Sequence, residues 1–187
     1  RADASTLGLA GHSMGGKLSL LVASEDSRPD AVFGVDPVDA GGGPMGGDPT
    51  DYPSVTPERM PQITVPLVLL GETLNGTAGG FGQACAPADD NFQQYYEHAV
   101  SRALEIEVLN ANHMSFLDNP DCGMACSVCP KGTDDPATTR RLTQRYMTAF
   151  FNVELRQQSD HRSYLVGSDM DADVTANLVA YQSKNNF

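Results

Sequence analysis

Four short apolar runs punctuate the chain: Leu7-Gly8-Leu9-Ala10, Ala31–Val35, Pro66–Leu70 and Glu105–Leu109, the last of alternating character. Each has strand length, and helical stretches lie between them. That is the pattern of a parallel sheet covered on both faces. The Leu-rich segment Lys17–Ala23 suits a helix packed on such a sheet. Residues 91–104 place Phe92, Tyr95, Tyr96, Ala99, Val100 and Ala103 at spacings of three and four, with Asp89 or Asp90 as N-cap. Residues 138–155 repeat the spacing with Leu142, Tyr146, Ala149, Phe150 and Val153, and Pro136 opens that helix. Ala40–Gln62 is dense in Gly and Pro and reads as a long irregular loop. After Gln158 the period weakens, and Val174–Tyr181 suits a short helix. No repeat or linker divides the chain.

Composition narrows the function. The 187 residues carry 12 Lys and Arg against 24 Asp and Glu, a formal charge of −12. Nucleic-acid binding needs clustered basic residues, so a nucleic-acid partner is excluded. With 40% hydrophobic and 19% charged residues, a packed core is within reach. The longest apolar runs, such as Val65–Leu70, fall far short of the ~20 residues of a transmembrane segment.

Gly11-His12-Ser13-Met14-Gly15 fits G-x-S-x-G and stands where the pattern requires, between a strand and a helix. Such a turn holds a serine at a strained backbone angle with its hydroxyl exposed. The helix N-terminus adds partial positive charge, and the Met14 N–H is a candidate oxyanion donor. A serine needs a base and an orienting carboxylate. Of the four histidines, His12 adjoins the serine and shapes the turn, His98 lies on a helix's polar side, and His161 lies in the weakly patterned tail. His113 follows the last strand, at the carboxyl end of the sheet, and is the candidate base. Asp36, ending the second strand before Pro37, is the preferred acid; Asp39 and Glu72 are the alternatives.

These residues resemble a family. The Gly11–Lys17 elbow, Gly34-Val-Asp-Pro-Val-Asp39, Cys85-Ala-Pro87 and His113-Met-Ser-Phe-Leu-Asp118 are similar, in order, to successive motifs of the chlorophyllases, from about residue 7 to residue 155. The resemblance implies an α/β-hydrolase that cleaves the phytyl ester of chlorophyll to chlorophyllide and phytol. It implies Ser13 as nucleophile, His113 as base, and the acid within Asp36–Asp39. Pancreatic-type lipases and platelet-activating-factor acetylhydrolases resemble the chain in carrying the acid directly after this strand, which favours Asp36. Met14 stands where plant chlorophyllases have Arg. Polyester hydrolases and bacterial cutinases carry Met in a similar elbow, but place the acid after the next strand.

Four cysteines occur: Cys85, Cys122, Cys126 and Cys129. The C-x3-C-x2-C spacing matches an iron–sulfur motif but follows the histidine's loop, the wrong context. Zinc would need Cys85 as fourth ligand, and the elbow chemistry needs no metal or cofactor. Two disulfides are therefore expected, implying an oxidising compartment (secreted or an organelle lumen). The sequon Asn75-Gly76-Thr77 agrees with secretion. Asp169, Asp171 and Asp173 lack the Gly and Glu of a calcium loop and read as a solvated acidic turn. Gly41–Gly47 reads as a flap beside the site, with Met45 an apolar contact for substrate.

The sequence thus predicts a serine carboxylic-ester hydrolase acting on a hydrophobic ester through an acyl-enzyme. The rivals are a non-catalytic hydrolase-like subunit binding an apolar ligand or protein, a lipase or polyester hydrolase, and a serine peptidase. In α/β-hydrolases the elbow follows the fifth of eight strands, yet here it comes at residue 13. The expectation is a C-terminal half: residues 1–158 as the C-terminal part of the catalytic domain and 159–187 as its extension. The N-terminal strands and the second oxyanion donor would then lie in residues outside this sequence or in a separate chain.

Overall fold

The structure is a computed structural model and describes residues 5–39, 52–77, 84–119 and 129–187. Among them, five strands form one sheet in chain order: β1 (Gly8–His12), β2 (Ala31–Val35), β3 (Leu67–Glu72), β4 (Ala103–Val108) and β5 (Val179–Lys184). Strands β1 to β4 are parallel, and β5 runs antiparallel beside β4, with Val108 opposite Val179. Four helices accompany them: α1 (Met14–Glu25), α2 (Phe92–His98), α3 (Pro136–Arg156) and α4 (Ser168–Thr175).

Strand alternation splits the core into two layers. Phe33, Val35, Val68, Leu70, Leu104 and Ile106 face α3 and the tail, meeting Leu142, Tyr146, Phe150, Leu165 and Met170. Val32, Leu67, Leu69 and Ala103 face the other way, onto Leu20 of α1 and Phe92 and Tyr95 of α2. Burial on both faces is why these strands read as continuous apolar runs rather than alternating ones. The exception is β4, whose Glu105 and Glu107 accept hydrogen bonds from Gln182 and Gln93.

Three expectations are corrected. The fifth strand was not anticipated, and Val179–Lys184 is strand where a short helix was expected; α4 ends earlier, at Thr175. As an edge strand with much of its surface exposed, Val-Ala-Tyr-Gln-Ser-Lys has no apolar run to announce it. The helix expected over 91–104 stops at His98, because the apolar positions from Ala103 belong to β4, and its cap is Asn91, which accepts from Gln93 N–H, rather than Asp89 or Asp90. The loop expected over 40–62 contains a 3-10 turn at Met60–Gln62. Its flap, Gly41–Gly47 with Met45, lies outside the described residues.

Cys85 is bonded to Cys129, while Cys122 and Cys126 lie outside the described residues. The acidic cluster does not stand free as a turn: Asp169 and Asp171 occupy the first turn of α4, where the helix dipole favours them. Asp173 is buried and accepts from Tyr146 Oη and Arg145. Asn75 of the sequon is fully buried, and its Nδ2 donates to Pro130 O (3.4 Å), leaving no room for a glycan in the fold. At the far side of the sheet, β1 forms the edge of the described strands, and Leu18 and Val22 of α1 are 51% and 44% exposed. No helix among the described residues is long and apolar enough to cross a membrane.

Candidate active site

Parallel strands deliver their carboxyl ends to one rim, and each candidate residue sits there. Ser13 follows β1, Asp36 follows β2, Glu72 ends β3, and His113 lies in the loop after β4. Ser13 has φ 55° and ψ −122°, a strained conformation for a residue with a side chain, and its N–H is held by Val35 O (2.9 Å). The turn is tight enough that a Cβ on Gly11 would fall onto the Gly15 backbone, and one on Gly16 would meet Gly11 O and Pro37 Cβ at 2.9 Å. Gly15 itself faces open space among the described residues, so the close packing belongs to Gly11 and Gly16 rather than to both motif glycines.

The side chains of Ser13, His113 and Asp36 form one line. His113 Nε2 lies 2.9 Å from Ser13 Oγ, and His113 Nδ1 lies 2.6 Å from Asp36 Oδ2. Asp36 is fully buried with φ 43°, a second strained residue at the rim. Burial raises the pKa of its carboxyl, and the hydrogen bond and charge of His113 pull the other way. A carboxylate can only accept, so this pairing puts the imidazole proton on Nδ1 and leaves the Nε2 lone pair facing the serine. Met14 is the first residue of α1, so its N–H is one of those a helix start leaves without an intrahelical acceptor.

The two alternative acids are engaged elsewhere. Asp39 pairs with buried Lys17 (3.3 Å) and accepts from Val55 N–H, Thr56 N–H and the Ser54 and Thr56 hydroxyls. Burial alone would raise its pKa, but these hydrogen bonds outweigh it and hold the group below the usual range. Glu72 accepts from the Leu74 and Asn75 N–H groups, closing the turn after β3. Burial, then the nearby charge of Asp36, pushes its pKa up to about 7.

Two further side chains reach His113, and neither role was anticipated. His12 Nε2 lies 2.8 Å from the His113 carbonyl oxygen, and Asn75 Oδ1 accepts the His113 N–H at 2.9 Å. The position of His12 beside the serine was a signal for the first. Nothing in the sequence marks Asn75 except a sequon that points elsewhere. Among the described residues, His98 bonds within its own helix, to Gln94 O, and His161 of the tail sits beside Asn152 of α3, so neither joins the site. Among the described residues, no three His, Cys, Asp or Glu groups are placed to hold a metal ion.

The chlorophyllase family model matches residues 1–183. Chlorophyllase type 0 of Chenopodium album is 27% identical over 197 residues, which takes in 99% of this chain and 54% of that protein. Chlorophyllase-1 of Arabidopsis thaliana is 25% identical over 158 residues, 79% of this chain and 48% of that protein. The chain thus spans about half the length of these curated relatives. A solved ferulic acid esterase from Streptomyces cinnamoneus superposes with a TM-score of 0.57 at 24% identity, over 84% of this chain and 43% of that one. The mostly parallel sheet, covered on both faces, and this likeness identify an α/β-hydrolase fold.

Proposed function

The chain belongs to the chlorophyllase family, and on that premise we propose that it is the part of a carboxylic-ester hydrolase that carries Ser13, His113 and Asp36 as its triad. The observation carrying this reading is the unbroken line from Ser13 Oγ through His113 to Asp36. His113 Nε2 takes the hydroxyl proton as Oγ attacks the ester carbonyl carbon. The carbonyl oxygen becomes an oxyanion facing the Met14 N–H; such a donor is worth about 3 kcal/mol of barrier. Collapse breaks the bond to the alcohol, which leaves with the proton from His113. Water then repeats the sequence on the acyl-enzyme and regenerates Ser13.

The substrate proposed is a hydrophobic ester, with the phytyl ester of chlorophyll the first candidate, as the names of the relatives suggest. Partners are proposed likewise. The edge that β1 forms among the described strands, with the exposed Leu18 and Val22, is suited to receive further strands and a helix of the same domain, in the same chain or a separate one.

Turnover of chlorophyll, p-nitrophenyl butyrate and a triglyceride by the full-length protein tests the reading. Chlorophyllide release supports the chlorophyll assignment. Cleavage of the short ester alone keeps the esterase and removes that substrate. No turnover of any ester, with an apolar ligand still bound, would leave a binding subunit instead.

A further inference from the structure

His113 sits in a loop, where no strand ladder or helix fixes its backbone. A buried loop residue still needs partners for its N–H and C=O. For His113 both come from side chains distant in sequence: Asn75 Oδ1 takes the N–H (2.9 Å), and His12 Nε2 reaches the carbonyl oxygen (2.8 Å). A carbonyl only accepts, so Nε2 of His12 carries a proton and donates it. The two imidazoles lie 4.6 Å apart, tilted by 35°.

We propose that His12 and Asn75 are positioning residues for the general base, clamping the His113 backbone from both sides so that Nε2 is presented to Ser13. This rests on the ester-hydrolase reading above. His12 adjoins the nucleophile on the elbow, so its bond ties the backbone of the base directly to that of the serine. Burial, and then the proximity of His113, lowers the pKa of His12 to about 4, so it remains a neutral donor at any ordinary working pH.

Asn75 is itself held at every polar group. Its N–H donates to Glu72 (2.8 Å), its carbonyl accepts from Ala86 N–H (3.2 Å), and its Nδ2 donates to Pro130 O (3.4 Å). Pro130 O also accepts from Asn112 Nδ2 (2.7 Å), and the preceding residue, Cys129, is disulfide-bonded to Cys85, next to Ala86. The far arm of the clamp is thus braced by a covalent bond between the two loops that carry it.

The test compares His12→Ala, His12→Gln and Asn75→Ala in the full-length protein, using p-nitrophenyl butyrate and exhaustive fluorophosphonate labelling of Ser13 to count intact sites. Misplacement of a reacting group by about 1 Å costs on the order of 100-fold, so kcat per labelled serine should fall about 10- to 100-fold in both Ala variants with KM unchanged. Gln carries an amide N–H at the position of imidazole Nε2, so His12→Gln should recover most of the rate. A merely structural role would lower the number of labelled sites and leave kcat per site intact. That result, or a His12→Gln variant no faster than His12→Ala, overturns the clamp. A wild-type protein that neither cleaves the ester nor labels defeats the hydrolase reading and the clamp with it; an active wild type with unaffected variants defeats the clamp alone.

Discussion

His113 Nδ1 and Asp36 Oδ2 are 2.6 Å apart, a contact between two buried side chains 77 positions apart in the sequence. The pairing selects the tautomer that aims Nε2 at Ser13. Asp36→Asn replaces an acceptor-only group with an amide and removes that selection. We predict a fall in kcat on the order of 10⁴-fold with the fold retained, read from steady-state hydrolysis beside a thermal melt. A loss below tenfold would assign the orienting role to another group.

Asp39 should fail differently. It satisfies buried Lys17 and the backbone of Val55 and Thr56, and it does not touch His113. Asp39→Ala removes one ion pair of Lys17 and the side-chain acceptor of the Val55 and Thr56 N–H groups, and should cost about 1–3 kcal/mol in a denaturant titration, with kcat per folded molecule near that of wild type. Because its folded pKa is depressed, its contribution is full above the unfolded carboxylate pKa and fades as pH falls through the folded one. Acid unfolding should therefore begin at higher pH in the variant.

The motif glycines are not equivalent. Gly11→Ala drives a Cβ into the Gly15 backbone, whereas a Cβ on Gly15 meets nothing among the described residues. Gly11→Ala should abolish ester cleavage. Gly15→Ala, in the first turn of α1, should keep activity and gain up to about 1 kcal/mol from helix propensity. Equal loss in both variants would contradict this account of the elbow.

Stability should fall as pH rises through the neutral range. The pKa of Glu72 is raised from 4.5 to about 7 by burial and Asp36, and that of Glu105 likewise by burial and Glu107. Between those limits these two groups hold more protons in the folded state than in the unfolded chain, so their slope of unfolding free energy with pH is negative, and together they outweigh the opposite contribution of His12, whose pKa burial lowers to about 4. Tm should drop by several degrees from about pH 5 to about pH 8. Glu72→Gln and Glu105→Gln should each flatten part of that drop, and a wild-type Tm that climbs over this range would refute the assignment.

Much of this was legible in the sequence because burial on both faces writes a plain signal. Val32–Val35 and Leu67–Leu70 announce parallel strands, and strand–elbow–helix order places Ser13 at the rim. Asp36 and His113 followed from the ends of the next strands. What stayed hidden lacks such a signal. Edge strand β5 is half polar, so Val179–Lys184 shows neither an apolar run nor clean alternation. Ala103 and Leu104 read equally as helix or strand. Asn75 reaches His113 through a contact spanning 38 positions, which no local pattern encodes. That Gly11 and Gly16 rather than Gly15 pack closely is decided by neighbours in space, which the motif alone does not encode.

The central claim is that Ser13 forms an acyl-enzyme, and rapid-mix hydrolysis of p-nitrophenyl butyrate by the full-length protein tests it most directly. The account predicts a burst of one p-nitrophenol per active site before steady turnover, and no burst and negligible turnover in Ser13→Ala. A Ser13→Ala protein that cleaves the ester at the wild-type rate would contradict it.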